Sequence, residues 1–370
     1  MGAGAIGKSV TGYIFSRMGY RVVFADISEP VVADINIRGS YTIYSCETGM
    51  APVKERVLGI SACVLMSKAA AGCARQADFI CTAVGPAGLR SFLPTLAAWI
   101  KARISSGDTR PLYVLLFEND AQCKNTVCEY LRGETGLPEW LTISKTSIER
   151  MTRPCGFDVT AEQFIPVIAS ARELGNSPLA AHPDLFMLTG NPDVYYYRKL
   201  YTNNLGHALL GYMGTYYRYE TVCEAMKDPK IADTLINSLT DAQKILRLEY
   251  GFSADELALH TSSLIRRYRN KDLNDSLRRL AKDPLRKLAS DERIIGALNL
   301  CSKHNVPPDR ISLALFYALK YCDGNDPSAA ALRETFEAEG LDGVLSRYCG
   351  LSAKDTLYQK INEAYRGFNY

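Results

Sequence analysis

Lys199, Asn204 and His207 carry groups that could move a proton and hold an oxygen, and all three lie in residues 198–214, RKLYTNNLGHALLGYMG. A lysine in a partly dry pocket can give up its proton near neutrality and act as a base. An amide can donate to an oxygen on which negative charge develops. With Lys199 at 0° and about 100° per residue, Asn203 falls near about 40°, His207 near 80° and Asn204 near 140°. Leu205, Ala208, Leu209 and Tyr212 take the opposite arc. One face of the segment is therefore polar and the other apolar. On this wheel Asn203 stands nearer Lys199 than Asn204 does. Each glycine in this helix costs about 1 kcal/mol relative to alanine. A close approach by a cofactor or substrate is expected to offset that cost. A helix crossing over small residues is the other explanation.

A second group of residues could hold a phosphate. Gly2, Gly4 and Gly7, with Ala5 and Ile6 between them, spell GAGAIG, which fits G-x-G-x-x-G. A helix opening there would aim free N–H groups and its dipole at a pyrophosphate. Asp26 ends the apolar run RVVFA, 19 residues after Gly7. A carboxylate at that place can accept from both ribose hydroxyls and repels a 2′-phosphate, so NAD is favoured over NADP. Ala83 and Gly85, in AVGP, end a second apolar run, and Glu118 with Asn119 end a third. Residues at the carboxyl ends of parallel strands border the ligand crevice of such sheets.

These groups need elements to position them. Arg21 to Ala25, Phe79 to Val84 and Leu112 to Phe117 read as buried strands, with helices such as Gly88 to Ser105 between them. Thr142 to Ser147 and Asp158 to Ile168 read as further strands. Strand-helix alternation points to an α/β unit with a parallel sheet. The stretch from Gly175 to Pro192 collects glycine, asparagine, serine and proline, which marks a domain boundary. The division is expected at residues 1–190 and 191–370. Beyond it, helices are expected around Val194 to Met213, Tyr216 to Met226, Ile231 to Tyr250, Ser253 to Tyr268, Ile311 to Cys322 and Ala329 to Ala338. A glycine motif of this kind ordinarily follows a strand, and only Met1 precedes it here. The central strand is thus expected to be missing, through either an upstream start or an incomplete sheet.

Composition excludes several classes. The net charge is +3 over 370 residues, with no block of like charge, so neither a nucleic-acid nor a membrane surface is expected. The basic stretch Arg266 to Arg269 is interrupted by Tyr268 and reads as a solvated helix face. The 11 cysteines have no metal-site or disulfide spacing, so no metal is expected, and a reduced cytoplasmic chain is. Met1 to Gly7 does not read as a signal peptide, so none is expected, and no apolar run of about 18 residues would span a membrane. His182, His260 and His304 are read as non-catalytic.

Lys199, Asn204 and His207 form K-x4-N-x2-H, and here the chain resembles the polyol-specific long-chain dehydrogenases. GAGAIG, FAD (Phe24 to Asp26), TAVGP (Thr82 to Pro86), Glu118-Asn119 and PLRKL (Pro284 to Leu288) follow in that family's order. The resemblance implies a Rossmann-like NAD-binding domain and a mainly α-helical substrate domain, working without metal. It implies Lys199 as general acid/base, Asn204 and Asn119 as amides on the reacting oxygen, and His207 as the residue orienting substrate. The reaction it implies is oxidation of D-mannitol 1-phosphate to D-fructose 6-phosphate with NAD. A sugar-phosphate substrate needs a cation, for which Arg286 and Lys287, then Arg150 or Arg153, are the candidates. A hexuronate or an unphosphorylated polyol is the alternative substrate, and a non-catalytic binding protein on the same fold is the alternative class. The family usually has Asp where Glu149 precedes Arg150.

Overall fold

The computed structural model describes residues 1–46, 51–273 and 275–368. The chain forms two compact units, Met1–Tyr196 and Tyr197–Tyr370.

The first unit is α/β. A five-stranded sheet runs in the order Phe186–Thr189, Val167–Ser170, Leu141–Ser147, Leu112–Leu116, Phe79–Thr82. Its pairs are parallel except where Val167–Ser170 meets Leu141–Ser147. Val23–Asp26 and Ser61–Val64 form a parallel pair of their own. The two sheets meet at Met1 and Gly2. The Met1 ammonium donates to Cys81 O at 2.7 Å, and Ala83 N–H donates to Met1 O at 3.0 Å. On the other side Gly2 N–H donates to Ala25 O at 2.9 Å. These two residues thus stand where the end of a central strand would be.

The buried runs Leu112–Leu116 and Val167–Ser170 are apolar on both faces, as strands covered on both sides must be. Helices Lys68–Gln76, Gly85–Ser105 and Cys123–Glu134 follow strands and supply one cover. The core on that side joins Leu89, Phe92, Leu96 and Ile100 to Val114 and Leu116. The expected strand Asp158 to Ile168 is instead two strands. Asp158–Glu162 pairs with Ser40–Cys46 in a separate four-stranded sheet, and Val167–Ser170 joins the five-stranded one. Pro166 lies at the break, where a missing N–H ends a ladder.

The second unit is helical. Pro229–Tyr250, Ala254–Tyr268, Asp309–Ala318 and Pro327–Arg347 occur where helices are expected. The helix expected from Tyr216 to Met226 shrinks to Val222–Ala225. Arg218 takes a positive φ of 65°, and Thr221 with Glu224 forms a capping box that starts the chain afresh. Leu205–Tyr216 is the central helix of this unit, buried on nearly every side.

Candidate active site

The glycine loop is shaped by close backbone approaches. Gly2 has φ +80°, and a Cβ on Gly7 would lie 2.0 Å from Gly2 O, so only glycine closes this turn. A Cβ on Gly4 would meet nothing within 4 Å, so Gly4 borders open space. The helix begins at Ala5, and Ala5 and Ile6 have N–H groups in its first turn with no helical carbonyl four residues back. The loop therefore fits a pyrophosphate.

Asp26 grips this loop directly. Its carboxylate accepts from Ala3 N–H at 2.7 Å and from Ser28 N–H at 2.9 Å. Each oxygen keeps a further lone pair for a hydroxyl. Glu118 is buried, and its two oxygens accept from Val84 N–H at 3.1 Å and Gly85 N–H at 2.8 Å. It thus holds the turn Ala83–Gly85 at the start of the helix Gly85–Ser105, an anchoring role that residue type alone did not reveal. Asn119 follows it and is exposed.

Lys199, Asn204 and His207 occupy one continuous helical run in the second unit, but not a regular α-helix. Pro192–Lys199 is α-helical, Leu200–Asn204 is a π-turn, and Leu205–Tyr216 is α-helical again. A π-turn closes i→i+5 and advances only about 80° per residue. Asn204 then falls about 40° from Lys199, and His207 about 20° from Lys199 on the other side, once the turn is counted. The π-turn therefore places on one narrow arc the three residues that a uniform helix spreads over a wide one. It also separates Asn204 from Asn203. The Tyr268 hydroxyl is shared between Asn203 O at 3.1 Å and Asn203 Oδ1 at 3.2 Å. On the same turn Thr202 Oγ1 donates to Arg198 O at 2.5 Å and pairs with His260 Nε2 at 2.9 Å. Tyr268 and His260 are props that no sequence pattern announced, since both come from a helix some 60 residues downstream.

Lys199 is half-buried and Asn204 is buried. The His207 ring packs at 5.2 Å from that of Tyr268. Burial holds its pKa well below the ordinary histidine value, and the charges of Arg279, Arg267, Arg293 and Lys287 push the same way. The ring is therefore neutral near pH 7. Its Nε2 is enclosed and has no hydrogen-bond partner among the described residues, as is also true of Tyr212 Oη. A buried polar atom left over in this way suits a group that binds from outside the chain.

The glycines of this helix follow the second of the two explanations, close packing against other segments of the chain. A Cβ on Gly211 would lie 2.9 Å from Ala281 N, and one on Gly214 would lie 2.6 Å from Leu277 Cδ1. A Cβ on Gly206 would lie 2.8 Å from Tyr268 Oη. Helix Leu277–Ala281 crosses here backbone to backbone, so neighbouring protein, rather than ligand, requires the small residues.

The cations singled out for a phosphate divide. Arg150 is buried in the first unit. Its Nε donates to Glu162 O at 2.7 Å, Nη1 to Ser9 O at 2.5 Å and Nη2 to Ser45 Oγ at 3.1 Å, with Glu55 3.6 Å away. Lys287 is buried in the second unit and donates to the carbonyls of Leu280 and Lys282. Burial, with Arg293 and Arg286 nearby, lowers its pKa to about 7. Both side chains are thus engaged as internal struts. Arg286 is half-exposed and pairs with Asp283 at 2.7 Å. Arg153 is exposed. Among the described residues no group of three or more His, Cys, Asp or Glu could hold a metal ion, and no helix is long and apolar enough to cross a membrane.

Comparison with known proteins bears on the whole chain. Residues 1–176 match the mannitol dehydrogenase Rossmann domain, and residues 192–367 match the mannitol dehydrogenase C-terminal domain. Mannitol-1-phosphate 5-dehydrogenase of Bacillus licheniformis is 28% identical over 97% of both chains, and that of Bacillus pumilus is 29% identical over 97% of both. Two solved structures share the fold at 15% identity. A substrate-free D-sorbitol dehydrogenase superposes with a TM-score of 0.79 over 97% of this chain and 90% of its own. Pseudomonas fluorescens mannitol 2-dehydrogenase, in a ternary complex with NAD and D-mannitol, superposes with a TM-score of 0.78 over 99% of this chain and 90% of its own. With both of its domains matched in order, the chain belongs to the mannitol dehydrogenase family of oxidoreductases.

Proposed function

We propose that this dehydrogenase interconverts D-mannitol 1-phosphate and D-fructose 6-phosphate with NAD. The observation that carries the reading is the π-turn Leu200–Asn204, which sets Lys199, Asn204 and His207 on one arc. The names of the two Bacillus relatives support the phosphorylated substrate. Asp26, at the end of its strand, supports NAD over NADP.

The bound nicotinamide ring would supply the hydride acceptor. The chain's own groups do the rest. Lys199 takes the proton from the substrate hydroxyl as the carbon is oxidised, and returns it in the reverse direction. Asn204 donates its amide to the same oxygen, so that developing negative charge meets a fixed dipole. By resemblance Asn119 supplies a second amide. His207, neutral and with Nε2 unclaimed, orients a substrate hydroxyl. Arg286 is the cation offered to the phosphate, because Arg150 and Lys287 are spent within the fold. Eleven cysteines without disulfide spacing suit a reducing, cytoplasmic setting.

That same engagement of Arg150 and Lys287 favours a second reading, in which the substrate is an unphosphorylated polyol or a hexuronate. A panel of mannitol 1-phosphate, mannitol and fructuronate, each with NAD and NADP, separates the two. A kcat/KM at least about 100-fold higher for the phosphorylated polyol, near 3 kcal/mol, supports the first. Equal values sink it. In the same assay Lys199→Ala is expected to lose about 100-fold to 10,000-fold in kcat while NADH still binds. Wild-type turnover in that variant removes Lys199 from the mechanism.

A further inference from the structure

The helix Ala254–Tyr268 holds the segment around Lys199 at three points. Arg198 Nη1 donates to Glu256 Oε1 at 2.9 Å. His260 Nε2 lies 2.9 Å from Thr202 Oγ1. The Tyr268 hydroxyl bonds Asn203. Glu256 and His260 are four residues apart and so share a face of their helix.

The middle contact has a direction, which the count of protons decides. A threonine hydroxyl has one proton and two lone pairs. Thr202 gives that proton to Arg198 O, 2.5 Å away. Toward His260 it can therefore only accept, so the imidazole holds a proton on Nε2. With Nε2 bare, the hydroxyl would have to turn to the ring and release Arg198 O. Thr202 is fully buried, so bulk water does not replace a lost partner.

The carbonyl at the end of this relay belongs to the peptide bond that joins Arg198 to Lys199. Glu256 fixes the side chain of Arg198, and the Thr202 hydroxyl fixes its carbonyl. The backbone entering Lys199 is thus gripped on both sides of one Cα. A base must stand within hydrogen-bond reach of the proton it takes. A misplacement of about 1 Å can cost about 100-fold in rate.

We propose that His260 and Thr202 are a positioning pair for proton transfer at Lys199, with His260 Nε2–H keeping the Thr202 hydroxyl turned onto the Arg198 carbonyl. The pair acts through the backbone of Lys199 and not on the substrate, and the proposal rests on the reading of Lys199 as the acid/base.

Thr202→Val keeps the shape and removes the hydroxyl. His260→Phe keeps a ring and removes the donor. Thr202→Ser and His260→Gln restore a hydroxyl and a side-chain N–H. These four, the double variant Thr202→Val/His260→Phe and Lys199→Ala are assayed for kcat and KM with NAD and the fastest substrate of the panel. Turnover is expressed per NADH-binding site, counted by fluorescence titration, so that misfolded protein does not enter. Thr202→Val and His260→Phe should each lose about tenfold to 100-fold in kcat with KM nearly unchanged. The double variant should lose no more than the larger single loss, because the pair acts as one unit. Thr202→Ser and His260→Gln should recover most of that loss. If Thr202→Val or His260→Phe does not fold, Thr202→Ala or His260→Leu replaces it. Wild-type kcat per site in the single variants overturns the proposal, as do additive losses in the double variant or no recovery in Thr202→Ser and His260→Gln. Wild-type turnover in Lys199→Ala overturns the reading of that lysine, and the proposal with it.

Discussion

Tyr268 holds Asn203 by two oxygens at once, its hydroxyl lying 3.1 Å from the backbone carbonyl and 3.2 Å from Oδ1. This clasp falls inside the π-turn, between Lys199 and Asn204. It occupies the asparagine that a regular helix would have turned toward Lys199, and leaves Asn204 as the one on the lysine's face.

Tyr268→Phe should therefore act on both stability and turnover. It strands a buried amide oxygen, which costs about 1–3 kcal/mol in urea unfolding. kcat should fall by more than KM changes, because Asn204 loses its fixed position rather than its chemistry. A variant that is destabilised yet keeps wild-type kcat would show that the clasp merely stabilises the fold.

Gly211→Ala tests why the central helix contains glycine. Propensity alone predicts a gain of about 1 kcal/mol. The added Cβ, 2.9 Å from Ala281 N, instead predicts a net loss of about 1–3 kcal/mol through overpacking. NADH affinity should hardly change. A stabilised variant with weakened ligand binding would return the glycine to the ligand.

Lys287 makes stability depend on pH. Folded, its pKa is about 7, and unfolded it returns to the ordinary lysine value of 10.5. Between those values the unfolded chain holds a proton that the native chain has lost. Stability attributable to this group therefore rises with pH across that window, by about 1.4 kcal/mol per unit, and levels off outside it. Lys287→Met should lack this slope, so that the difference between wild type and variant changes by about 1.4 kcal/mol per unit across the window. A difference that is flat from pH 7 to 10 would mean that the lysine keeps its proton in the fold.

Asp26→Ala removes the acceptor for Ala3 and Ser28 N–H and the barrier to a 2′-phosphate. NADH binding should weaken by about tenfold, equivalent to one or two lost hydrogen bonds. The preference for NADH over NADPH should narrow. Fluorescence titration with both nucleotides measures this, and an unchanged ratio would take the carboxylate out of cofactor selection.

How far the sequence carried the site depends on what each feature rests on. The glycine loop, Asp26 and the apolar strands were legible because turn chemistry and burial leave marks in neighbouring residues. The hairpin of Ser40–Cys46 with Val53–Leu58 was not, since KER at its centre reads as surface rather than strand. The π-turn was invisible too. Its residues Asn203 and Thr202 bond to Tyr268 and His260, which come from far along the chain. The wheel thus set Asn203 nearer Lys199, the family pattern named Asn204, and the π-turn brings Asn204 onto the arc of Lys199. Glu118 and Arg150 were recognised as polar residues at meaningful places, but their carbonyl and amide partners come from other segments and decide that both brace the fold.

Arg150 gives that bracing a practical reach. One guanidinium bonds the carbonyl of Ser9, on the helix that the glycine loop opens, to Ser45 and Glu162 of a different sheet. The nucleotide loop is therefore not a cassette. Transplanting residues 2–12 from another dehydrogenase to change coenzyme choice would place a foreign helix over an unaltered socket, and the exchange should succeed only when the socket travels with it.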